Sequence, residues 1–494
     1  MRHLATTLAL TTSVTACATV ASAHGFGQRY DLPIPLSFYV WGAGATVVLS
    51  FIILAVFFTS KRAIRPLPTL VVPLPPMVER VLRLLCGTLG LVGFLAVIIA
   101  GFLGDQNPMR NLAPVAVWIL GWVGLSFFSA VLAPLWPALN PWVTIYACAV
   151  WMRTQLAGAQ KRKCRTAPAW LGVWPSLLLF IIFAWMELVW SGRNVPADLA
   201  TALAVYSAMT WAGMSWLGGK AWLRRGEVFT QVFGIFGRFA PIAAHAHGLK
   251  LRAPASGLLG APGSPSMAAL VTGSPSMAAL VIALLATVTF DGLLETPLWA
   301  RIDVAVLDTP ADSLLWTALD LREDQALRLV RTLALPLLVA LFAAAYSLVC
   351  RWMAALAYEP FATTGFLFRR FVFTLVPISL AYHVAHYFSH LLIGGQYAIP
   401  FLSDPFLLGW DLLGTAHYRV DIGLVDPRLQ WYVAVIAIVL GHVVAVWLAH
   451  VTALRTFSQP HTALAAQLPM LALMVAYTMC SLWIISQPIV ETGP

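Results

Sequence analysis

Ten separate runs of apolar residues set the terms for this chain. They fall roughly at residues 37–58, 84–104, 112–134, 169–190, 197–217, 270–292, 327–349, 370–393, 431–454 and 464–487. About 20 such residues, at 1.5 Å rise each, cross the hydrocarbon core of a bilayer as one helix. A soluble fold could not hide them: 60% of the 494 residues are hydrophobic and only 10% charged, against about 25% charged in soluble domains. The expected fold is therefore all-α, a polytopic membrane bundle of about ten transmembrane helices forming one domain over 24–494. The same composition excludes a disordered chain and a collagen-like repeat.

The first 23 residues read as a cleaved signal peptide. Arg2 and His3 precede a short apolar stretch, Leu4 to Val20, that ends in Ala21-Ser22-Ala23, the basic, apolar, small-x-small order that signal peptidase needs. Cleavage after Ala23 makes His24 the first residue, and an amino-terminal His can chelate copper through its α-amine and imidazole together. Val14-Thr15-Ala16-Cys17 is a competing lipobox-like site that would make Cys17 a lipidated first residue.

Charge gives the orientation. Loop 59–83 holds Lys61, Arg62, Arg65, Arg80 and Arg83. Segment 153–165 holds Arg153, Lys161, Arg162, Lys163 and Arg165, and 218–252 holds Lys220, Arg224, Arg225, Arg238, Lys250 and Arg252. The alternate segment 293–326 carries seven acids, Glu295 and Asp303 among them, against Arg301 and Arg322. Basic residues stay in the cytoplasm, which places both mature termini in the periplasm of a bacterial-type inner membrane. It also accounts for the net charge of +10 without a nucleic-acid partner. The six cysteines form no CxxC pair, and no disulfide framework follows.

Three segments break the regular pattern. Residues 136–152 begin Trp-Pro-Ala-Leu-Asn-Pro-Trp, and prolines that interrupt a helix predict a re-entrant or interfacial piece. Residues 227–243 alternate phenylalanines with Glu227 and Arg238, as an amphipathic helix on the cytoplasmic face would. Residues 396–430 form a long periplasmic loop. GSPSMAALV occurs twice, at 263–271 and 273–281, a duplication in a turn-rich linker that blurs the start of the sixth span.

Ionisable residues within spans are expensive and mark function. Span 370–393 carries His383, His386 and His390; at about 100° per residue the first and last align, with the middle one about 60° away. Span 431–454 carries His442 and His450. Because the two spans run in opposite directions, His383 and His442 fall at similar depth, as axial ligands to haem b or a copper site would. His24, His386, His390 and His450 are further metal-ligand candidates. Asp105 and Asn107, with Glu187, Asp291 and Glu295, sit at the outer ends of spans, where they could line a substrate entrance. Acids buried within spans, of the kind that couple cation antiport, are not expected.

No Walker sequence, CxxCH, HExxH or nucleophile elbow is present, which argues against a covalently acting hydrolase. The first functional reading is a permease for a small solute or metal ion with a histidine-lined path. The alternative is a membrane redox or metal-handling protein that binds haem b or copper through those histidines. A third is a non-catalytic subunit or assembly factor, with other membrane subunits as its partners.

Overall fold

The computed structural model describes residues 30–58, 67–157, 167–246, 248–259, 274–309 and 321–489. The signal peptide, Cys17, His24 and the first GSPSMAALV copy lie outside the described residues.

Twelve principal helices make up the described chain: α1 (Leu36–Phe57), α2 (Pro76–Leu103), α3 (Leu112–Val131), α4 (Pro141–Ala157), α5 (Trp174–Leu188), α6 (Pro196–Leu217), α7 (Val228–Phe236), α8 (Pro275–Leu294), α9 (Glu323–Ala357), α10 (Thr364–Ser403), α11 (Pro427–Thr456) and α12 (Pro460–Ile489). Nine of the described helices are long and apolar enough to cross a membrane. The expected span 197–217 forms α6, which is long enough but is not among the nine, because Tyr206, Ser207, Thr210, Trp211 and Ser215 dilute its apolar run. The span expected from 84 starts at Pro76 instead. A proline is tolerated in the first turn of a helix, and Glu79 pairs with Arg83 one turn on, so two of the basic loop residues belong to the helix itself.

Burial within the bundle is uneven, and this decides where a site can be. In α8 and α10, 83% of the apolar window is buried against other protein, compared with 17–39% in the other seven. These two helices form the centre. α10 packs along most of its length on α11, which packs in turn on α12. The closest approach is at Gly441, where a Cβ would collide with Ala381 and lie 2.8 Å from the Pro377 carbonyl oxygen. The two histidine-bearing spans are therefore neighbours.

A small antiparallel sheet joins two distant loops. β1 (Thr69–Pro73) pairs with β3 (Gly248–Arg252), and β3 with β2 (Ile242–His245). The chain between α1 and α2 thus meets the chain between α7 and α8 on one face. Ile242 N donates to the Leu132 carbonyl, which puts the end of α3 on that face too.

Each of the two broken segments has a buried part: the turn at 136–142 and most of 228–236, whereas 147–152 is exposed. After α3 the chain turns back through Trp136–Leu139 and starts α4 at Pro141. A Cβ on Gly90 of α2 would collide with the Leu139 carbonyl, so the turn is pressed tightly against α2. α7 was expected as an amphipathic helix on the membrane surface. Instead Val228, Val232, Phe233, Ile235 and Phe236 are all buried, so apolar neighbours, not lipid headgroups, cover it.

Both turns meet at Glu227, which is completely buried. Its carboxylate accepts from Trp136 Nε1 at 3.1 Å, Asn140 Nδ2 at 3.4 Å and Tyr206 Oη at 2.8 Å. It also caps α7, accepting from the amides of Phe229 and Thr230 and from the Thr230 hydroxyl. A buried charge is tolerable only when satisfied this fully. Glu227 clasps the Trp136–Asn140 turn to α6 and α7.

Candidate functional site

Four ionisable or phenolic side chains converge where α5, α8 and α10 meet: Glu187, Asp291, His386 and Tyr387. The His386 and Asp291 side chains are 7% and 9% exposed, with His386 Nε2 2.9 Å from Asp291 Oδ2. Tyr387 Oη is 2.5 Å from the same Asp291 oxygen and 3.2 Å from Glu187 Oε1. A phenol has one hydrogen to donate. It can serve only one of the two carboxyl groups at a time, so satisfying both contacts would take a second hydrogen on one of the carboxyls.

The helices explain the convergence. His386 and Tyr387 are consecutive, so their side chains diverge by about 100° and grip Asp291 from two sides. Asp291 lies in the last turn of α8, whose other side chains are almost all buried and apolar. Glu187 is held from behind: Arg193 Nη1 donates to its backbone carbonyl, and Trp118 Nε1 donates to the carbonyl of Arg193. The adjoining parts of α3 and α10, residues 115–124 and 390–394, are π-helical. A π turn widens the helix and recurs at functional sites.

His383 lies beside the cluster in an aromatic setting. Its ring centroid is 4.7 Å from Tyr387, 5.4 Å from Trp122 and 5.9 Å from both Phe127 and Phe236. Together with Glu187, Phe180 and Tyr387 it lines a narrow cavity with room for about one water molecule. His390 is the next member of the same face, 6.2 Å from the Tyr387 ring. His383, His386 and His390 share one face, and the Tyr387 ring, flanking it, packs near all three imidazoles.

The other two histidines are placed differently. His442 Nδ1 is 2.8 Å from the Ile438 carbonyl of its own helix, and its ring faces Tyr477 on α12. His450 spends both nitrogens on structure, Nε2 on the Phe58 carbonyl at 2.9 Å and Nδ1 on Gln467 at 3.2 Å. It ties α1 to α11 and α12.

These placements bear on the metal expectation. His383 and His442 look toward different helices, and the space at His383 is far too small for a haem. Among the described residues no three His, Cys, Asp or Glu side chains converge as a metal ion requires. Haem b therefore does not fit the residues as they stand.

Asp105 and Asn107 do not join the cluster. Asp105 accepts from the Asn107 amide and pairs with Arg110 at 3.4 Å, while Asn107 caps the turn at Met109. Glu295 ends α8, one turn beyond Asp291.

The expectation that the spans hold no buried acids is overturned by Asp291, buried within α8, with Glu187 half-buried at the end of α5 on the other side of Tyr387. Hydropathy averaged over a window hides one carboxylate near a helix end. Sequence reasoning also missed Tyr387, although its position next to His386 on the histidine-rich span was a usable signal.

No family model matches the chain, and neither a curated protein nor a solved structure is found to resemble it.

Proposed function

We propose that this multi-pass membrane protein is a transporter for a small solute or metal ion, with the Glu187–Asp291–His386–Tyr387 cluster as its working site. The carrying observation is the Asp291–His386 pair, bridged by Tyr387 to a second carboxyl and enclosed by the two most buried helices. Polar groups this far inside a bundle are costly and mark ion or solute pathways. The cluster opens on the small cavity at His383, which gives a solute or ion a place to displace water. The Trp136–Asn140 turn and α7 resemble the broken elements that line transport paths when protein encloses them.

The orientation follows from charge. The sheet face carries the basic loops and is read as cytoplasmic; the Asp291 cluster then lies in the periplasmic half. Pairing of β1 with β3 needs an even number of crossings between them. That favours α2, α3, α5 and α6 as crossings with α4 as part of a re-entrant piece, ten crossings in all and both mature termini periplasmic.

A membrane redox or metal-handling protein is the second reading. It draws on the buried His383 and His442 Nε2 atoms, which have no hydrogen-bond partner. It would require the helices to rearrange before either atom met a shared ligand.

The test is electrometry on proteoliposomes adsorbed to a solid support, with pulses of amino acids, sugars, carboxylates and divalent metal ions. One class should give a saturable current that Asp291→Asn removes. No current from any class contradicts the reading.

A further inference from the structure

A second polar group of side chains runs from Asp291 toward the middle of the bundle, between α8, α10, α11 and α12. Tyr382 Oη and His442 Nε2 are buried there without a hydrogen-bond partner, and both residues are fully enclosed. Native proteins rarely leave such atoms unsatisfied, and an internal water is the usual explanation.

The chemistry of each member is fixed by its neighbours. His442 Nδ1 faces the Ile438 carbonyl at 2.8 Å. A carbonyl can only accept, so Nδ1 carries the hydrogen and Nε2 presents a lone pair. Thr289 donates to the Leu285 carbonyl at 2.7 Å, so in its 2.5 Å contact with Tyr477 the phenol is the donor. The Tyr477 ring is 6.0 Å from His442, and Thr289 is two residues from Asp291. Tyr382 closes the other side: a Cβ on Gly292 would collide with its hydroxyl, so only glycine lets that hydroxyl lie beside Asp291. Its hydroxyl is within electrostatic reach of Tyr477, Asp291, Cys480 and Glu295.

We propose that this seam holds water molecules that carry protons between the Asp291 cluster and His442 Nε2. In one transfer, a proton leaves His386 or a carboxyl of the cluster for the first water. Each water passes one of its own protons along, and the last O–H bond breaks as a new N–H bond forms at His442 Nε2. The sum is one proton moved and one imidazolium formed, with nothing oxidised or reduced. This deepens the transport reading by naming the proton as coupling ion, and rests on that reading for its purpose.

The experiment is solid-state NMR of the full chain in liposomes, labelled with 15N-histidine, the His442 signals being assigned by their loss in His442→Gln. The Nδ1–H form is expected, with Nε2 exchanging magnetisation with water. Tyr382→Phe and Tyr477→Phe each remove one hydroxyl and keep the ring, and each should slow that exchange about tenfold, a barrier change of about 1.4 kcal/mol. His450, bonded at both nitrogens, should show no such exchange in any form. A His442 Nε2 without water contact overturns the proposal, as does exchange unchanged in both variants. Water exchange at His442 combined with no solute current leaves the seam and removes the transport reading; a solute current with a dry His442 does the reverse.

Discussion

Replacing Glu227 should destabilise the fold more than any other single change outside the apolar core. The carboxylate makes six contacts, three across to Trp136, Asn140 and Tyr206 and three to the first turn of α7. Hydrogen bonds in membrane proteins average about 0.6 kcal/mol and reach about 1.7 kcal/mol, so Glu227→Ala should cost about 4 kcal/mol. Buried donors left without an acceptor push the cost up, and water entering the vacated space pulls it down. Glu227→Gln keeps a carbonyl oxygen for the α7 amides but turns an NH2 against the other donors; about 1–2 kcal/mol is expected. Reversible unfolding in mixed SDS micelles measures both. Glu227→Ala within about 1 kcal/mol of the wild type would refute the clasp, as would the same loss for both variants.

Gly441→Ala must push α10 and α11 apart at Ala381 and Pro377, and the same unfolding assay should show a loss of about 1–3 kcal/mol. Gly90→Ala should act similarly by displacing the turn at Leu139; a neutral result would mean the turn does not press on α2. Outside the spans, burial disfavours a charge on Asp404, but amides that include Leu408, Gly409 and Trp410 outweigh it and hold its carboxyl below the usual aspartate range. A depressed carboxyl stabilises the loop above the ordinary aspartate pKa and stops doing so as pH falls through the folded value. Hydrogen exchange at 408–410 should therefore stay slow at neutral pH and rise only in strong acid, whereas Asp404→Asn should raise it at neutral pH.

What the sequence disclosed followed the reach of its signals. Apolar runs are long and local, so the expected spans match helices, and Trp-Pro and Asn-Pro marked the place where the chain breaks between α3 and α4. The common face of His383, His386 and His390 needed only helical periodicity. What those residues meet was not local: Asp291 lies 95 residues before His386 in the chain, and only the packing of α8 on α10 brings them together. Glu227 was visible as one acid ahead of an apolar run, a pattern that fits a surface helix as well as a buried cap. The choice between them was made by Trp136, Asn140 and Tyr206, which no pattern within the run could reveal. His450, grouped with the metal candidates by residue type, serves instead as a three-helix tie.

Two buried polar groups have different proposed roles: Glu227 holds the fold, and the Asp291 cluster is the proposed working site. Asp291→Asn and Glu227→Gln, measured side by side for solute current per folded molecule and for unfolding free energy, test that division directly. Asp291→Asn should abolish the current and leave stability unchanged or raised, because working sites keep charges that stability alone would not. Glu227→Gln should lower stability and keep the current. A current that survives Asp291→Asn, in protein that folds normally, contradicts the central claim.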